Sequence, residues 1–274
     1  MDIPNREELL AEKRRHPRLD RLLPDDKVLA DAMRPEVVQS ARDAYEHPST
    51  GEEVARVSTG PFLSVGMALY SPNLLAPLEK CLETVVPEMT REQRKELSDG
   101  LLNATQFLHS VSELGLARRL VIDGFKVDMF VRFHEKKNVD IKATVGDQDY
   151  LIEVTNLAAK TWQSPTEGWG PPPTIDTHLV KNIVDKYNKK FGEALTEGWD
   201  GPIWIAFDFG KAHPTALGVA LFQAMMGPAL YQVLASKVFE SAPKLRGVIY
   251  YCSSLGWPEI VPQSPIWITN PAYQ

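Results

Sequence analysis

Asn138-Val139-Asp140-Ile141-Lys142-Ala143-Thr144-Val145, then Gly146-Asp147-Gln148-Asp149, then Tyr150-Leu151-Ile152-Glu153-Val154-Thr155-Asn156, read as two β-strands joined by a turn. Side chains alternate across a strand, so pairing assigns each residue a face. A turn centred between Asp147 and Gln148 sets Lys142 opposite Glu153, Asp140 opposite Thr155 and Ala143 opposite Ile152. Asp140, Lys142, Glu153 and Thr155 then share one face, and Val139, Ile141, Ala143, Ile152 and Val154 form an apolar one. Opposed Cβ atoms lie roughly 5 Å apart, close enough for two carboxylates to share one divalent ion. Carboxylates in an apolar sheet are costly unless paired or metal-bound. Oxygen-only donors favour Mg²⁺ or Mn²⁺. The other reading of the same residues is a solvated Lys142–Glu153 cross-strand pair, which stabilises little.

Working outward, Leu108, Val111, Gly115, Leu116 and Leu120 recur at helical spacing and Asp123-Gly124 ends the helix. Phe125–Phe133 is a strand candidate, so the hairpin is preceded by a helix and a strand. After it come a long loop over 160–177, a helix over His178–Leu195 and a strand over Ile203–Phe209. An uncharged helical stretch, a strand over Gly247–Cys252 and a last one over Ile266–Thr269 complete the series. Residues 1–100 read as helices only: Arg6–Arg15, Asp26–Tyr45, Pro61–Tyr70, Leu74–Val85 and one opening at Thr90 with capping-box spacing to Gln93. The expected organisation is a helical N-terminal region over residues 1–100 and an α/β domain over residues 101–274.

The 274 residues, 43% hydrophobic and 24% charged, suit an ordinary globular chain with its own core. The net charge of -6 gives no overall basic field of the kind a nonspecific nucleic-acid coat carries. Cys81 and Cys252 are too few for a four-thiolate zinc site. No glycine-rich phosphate loop and no G-x-S-x-G elbow is present. The six histidines show no evident ligand spacing. The charged N-terminus lacks the apolar run of a secretory signal, so the expectation is a cytoplasmic protein. Pro214–Ser236 is uncharged and long enough to span a bilayer, but Gly227-Pro228 interrupts it. Buried helices, with a homodimer interface as one form of burial, are the expectation there, and no membrane partner.

The stretch Ser112–Asn156 resembles the PD-(D/E)XK nuclease superfamily, the restriction-endonuclease-like fold. The resemblance rests on Ser112-Glu113-Leu114-Gly115-Leu116-Ala117-Arg118-Arg119-Leu120 as the helix, on Asn138-Val139-Asp140 at the family's Asp, and on Glu153-Val154-Thr155 at its E-x-K. It implies a mixed central sheet flanked by helices and a Mg²⁺-dependent (or Mn²⁺-dependent) endonuclease hydrolysing phosphodiester bonds, DNA ahead of RNA. Asp140 and Glu153 would be metal ligands, and Glu113 a third carboxylate at the metal or its water. Thr155 departs from the pattern, since it cannot supply the family lysine's charge. Lys142 is then the nearest replacement and Lys181 the next. Without either, the same fold would serve as an inactive nucleic-acid- or protein-binding module.

A polymer could meet two further features. Lys181, Lys186, Lys189 and Lys190 lie off the apolar stripe of the helix His178–Phe191, where they could contact phosphates or form a solvated face. Trp162 and Trp169, in the loop after the hairpin, could stack on bases or pack the loop down.

Overall fold

A computed structural model describes residues 6–24, 72–103, 106–134, 137–156, 175–208, 228–251 and 265–274. It is a mixed α/β structure. Its helices are α1 (Arg6–Arg14), α2 (Pro17–Leu22), α3 (Pro72–Val85), α4 (Arg91–Leu102), α5 (Phe107–Ile122), α6 (Ile175–Thr196) and α7 (Pro228–Ser241). Its strands are β1 (Lys126–His134), β2 (Lys137–Val145), β3 (Gln148–Asn156), β4 (Ile203–Asp208), β5 (Gly247–Tyr251) and β6 (Ile266–Thr269). The chain divides into two compact units, one up to Arg118 and the other from Arg119, within α5.

In the first unit, Thr90 caps α4 as its spacing to Gln93 predicts: Gln93 N–H donates to the Thr90 hydroxyl, and the Gln93 side chain accepts from Thr90 N–H. Pro17 follows the turn after α1. It opens the short α2, where a missing N–H costs nothing. Buried Glu79 accepts from the N–H groups of Arg18 and Leu19, satisfying two donors that α2 itself leaves open. The expected helices Asp26–Tyr45 and Pro61–Tyr70 lie outside the described residues.

The second unit is built on one six-stranded sheet in the order β1-β2-β3-β4-β5-β6. β1, β2 and β3 are antiparallel neighbours, β3, β4 and β5 are parallel, and β6 is antiparallel to β5. Short connections allow the first three to meander, whereas parallel neighbours need longer crossovers. The described parts of those crossovers are α6 and α7. Ile183, Tyr187 and Phe191 of α6, and Tyr231, Leu234, Ala235 and Val238 of α7, pack with Ile203, Ile205, Phe207, Val248 and Tyr250 of the sheet. The opposite face is buried too: Met129, Ile141, Ile152, Val154, Ala206 and Ile249 are all shielded from solvent. From Ile203 to Phe207, β4 therefore reads as a continuous apolar run instead of an alternation.

The uncharged stretch is outside the described residues up to Gly227. From Pro228 it forms α7, which buries Tyr231, Leu234, Ala235, Val238 and Phe239 and exposes Gln232, Ser236 and Glu240. Among the described residues no helix is long and apolar enough to cross a membrane.

Candidate metal and nuclease site

The hairpin turn is tighter than the sequence reading. Val145 pairs with Gln148, so the turn is Gly146-Asp147 alone, with positive φ at Gly146 (58°) and not at Asp147, the pattern of a type II′ turn. Every expected pair therefore shifts by two residues, and Lys142 stands opposite Leu151, not Glu153. An even shift keeps side chains on their faces, so Ile141, Ala143, Ile152 and Val154 stay together, but Val139 departs from the expected apolar set and packs with Ile183, Tyr187 and Ile205 on the α6 face. One step beyond the last paired residues, Ile141 and Ile152, come Asp140 and Glu153.

At that point the ladder gives way to a side chain. Val154 N–H donates to Asp140 Oδ2 at 2.7 Å. On the other side of β2, Phe130 holds φ 54° between the pairs Met129–Ile141 and Val131–Val139, the only positive φ of a non-glycine among the described residues. Such outliers persist only where the surroundings fix them, and they gather at functional sites.

Asp140, Glu153 and Thr155 are buried, Glu153 to 1% exposure. The polar face is thus not solvated. α6 covers it and brings two lysines to the carboxylates: Lys186 Nζ lies 2.9 Å from Glu153 Oε1, and Lys190 Nζ lies 3.0 Å from Glu153 Oε2 and 3.9 Å from Asp140 Oδ1. Both contacts are ion pairs at hydrogen-bond distance, and the hydrogen bond from Lys186 favours the charged carboxylate. Burial holds the Glu153 carboxyl above its ordinary range, and the Asp140 charge adds to this. Lys186 and Lys190 pull the other way.

The expected lysine is elsewhere. Lys142 Nζ pairs with Asp149 Oδ2 at 2.8 Å, and this pair, with a hydrogen bond from Thr144, holds the Asp149 carboxyl below its usual range. Lys181 and Lys189 are exposed on α6. Trp162 and Trp169 lie outside the described residues. Glu113 is buried on α5, and His109 Nε2 stands 3.1 Å from its Oε1. A search for histidine pairs passes over His109; its i, i+4 spacing to Glu113 is the signal in the sequence that finds it. Helix periodicity places Lys186 and Lys190 off the apolar stripe without saying what faces them, so in the sequence they read only as phosphate contacts.

α6 and the hairpin are matched beyond the two carboxylates. Along α6, Lys186 and Lys190 are followed by Glu193, which pairs with Lys137 at 2.6 Å, and just past its end by Glu197, which pairs with His134 at 2.9 Å. The positive end of this series meets the acidic end of the strands, and the negative end meets the basic one. Asp140 and Glu153 offer hard, buried oxygen donors that could hold a divalent cation. No family model, no curated protein and no solved structure matches the chain.

Proposed function

We propose that the protein is a divalent-metal-dependent nuclease with a restriction-endonuclease-like core, hydrolysing phosphodiester bonds in DNA. The observation that carries this reading is the convergence of Asp140 and Glu153, 13 residues apart in sequence, on the one ammonium of Lys190. Asp140 and Glu153 would hold Mg²⁺ or Mn²⁺ through their buried carboxylate oxygens. Bound there, such an ion lowers the pKa of a water and offsets phosphate charge.

The chain's own residues supply the rest. Asp140 is oriented by Val154 N–H, which fixes Oδ2, while Oδ1 faces Lys190. The charge that Thr155 cannot give comes from Lys186 or Lys190, in place of Lys142; an ammonium there can orient water and neutralise a crowded phosphate. Glu113 would be the further carboxylate, in the role the resemblance gives it. Exposed Lys181 and Lys189 would contact phosphates along the strand.

The second reading is an inactive module of the same fold, in which the four charges lock α6 onto the hairpin. The neutral balance of two lysines against two carboxylates favours it. Incubation with plasmid, single-stranded DNA and RNA in Mg²⁺, Mn²⁺ or EDTA separates the two. Metal-dependent cleavage supports the nuclease, and its absence on every substrate supports the module.

A further inference from the structure

Two ammonium groups stand where a divalent ion would have to enter. Glu153 is almost wholly buried, and the cations that meet its oxygens are Lys186 at 2.9 Å and Lys190 at 3.0 Å. Both lysine side chains remain about a quarter exposed, 28% and 26%, so each has an outlet to solvent that Glu153 lacks. An ammonium on a flexible four-carbon stem can leave by rotating its own bonds. A buried carboxylate on a central strand cannot.

We infer that Lys186 and Lys190 act as internal stand-ins for the metal, occupying the Asp140–Glu153 carboxylates until a divalent cation displaces them toward solvent. This rests on the metal-site reading above and adds a gate to it. The same charges serve twice: on the carboxylates they stabilise the metal-free protein, and once displaced they face the side from which a phosphate arrives. Metal affinity is therefore held down by competition, and it rises when a competitor is removed. Displacing an ammonium forfeits its attraction to a carboxylate about 3 Å away, which at an effective dielectric near 20 exceeds what a tenfold change in affinity requires, so the gain should be at least about tenfold.

The test is titration of the metal-free full chain with Mn²⁺ at pH 8, reading free Mn²⁺ by its paramagnetic resonance signal. Wild type, Lys190→Met, Lys186→Met, Lys190→Arg and the remote Lys244→Met are compared, each checked for folding by circular dichroism. The expected result is at least about tenfold tighter Mn²⁺ binding in Lys190→Met or Lys186→Met, with Lys190→Arg and Lys244→Met near wild type. Wild type that binds Mn²⁺ while both methionine variants bind no tighter overturns the gate and leaves the metal site standing. No Mn²⁺ binding by wild type or any folded variant overturns the metal site and the gate together. Should one methionine variant fail to fold, the other decides.

Discussion

Lys190 Nζ lies 3.0 Å from Glu153 Oε2 while also facing Asp140 Oδ1 at 3.9 Å, so one helix side chain ties together the two strand carboxylates. That contact makes Lys190, and not Lys142, the lysine whose loss is felt. Lys190→Met should destabilise the metal-free protein by about 3 kcal/mol, because it leaves a buried carboxylate short of charge while Lys186 remains. Lys142→Ala breaks only the partly exposed pair with Asp149 and should stay within about 1 kcal/mol. Urea denaturation in EDTA compares the two; equal losses would contradict the arrangement.

Asp140→Asn and Glu153→Gln should both abolish cleavage, for different structural reasons. The side-chain amide introduced by Asp140→Asn retains an oxygen for Val154 N–H, so that variant should keep its fold and lose only the charge. Glu153→Gln leaves Lys186 and Lys190 without their shared anion and should lower the melting temperature as well. Cleavage rates and melting curves measured on the same preparations check both parts. An unchanged rate in either variant removes that residue from the metal site.

The raised Glu153 carboxyl has a pH signature. In the metal-free protein it binds its proton more tightly folded than unfolded, where the ordinary value is 4.5. Stability from this group is therefore fully present below about that pH and is lost as pH rises through the folded value. Thermal melts in EDTA from pH 4 upward should show wild type losing ground relative to Glu153→Gln. Parallel curves for the two proteins would contradict the assignment.

Cys81 gives an independent check on the first unit. Burial pushes its thiol from 9.0 up to about 11, with nearby Arg118 opposing the shift. At pH 8 it should resist alkylation in the native protein and react once denatured, as peptide mass spectrometry can follow. Rapid native labelling of Cys81 would show the unit to be open.

The hairpin faces are legible in the sequence up to Ile141 because alternation survives an even slip, but Val139, beyond the irregularity at Phe130, packs on the α6 face and not with Ile141. The slip arises because Gly146-Asp147 makes a two-residue turn, and the sequence Gly146-Asp147-Gln148-Asp149 offers a longer one equally well. The start of α4 and the end of α5 are legible in Thr90 and in Gly124, whose φ of 89° suits glycine alone. The lysine exchange is not. Whether Lys142 or Lys190 reaches Glu153 depends on how α6 packs on the sheet, and that is set by Ile183, Tyr187 and Phe191 meeting residues of β4 and β5 far along the chain.

The sharing of one divalent ion by Asp140 and Glu153 is tested most directly in crystals soaked in Mn²⁺, with anomalous scattering collected near the manganese edge. The expected result is an anomalous peak liganded by both carboxylates, with the ammonium groups of Lys186 and Lys190 withdrawn from Glu153. Saturating Mn²⁺ that leaves no peak there, and both lysines still on Glu153, would contradict it.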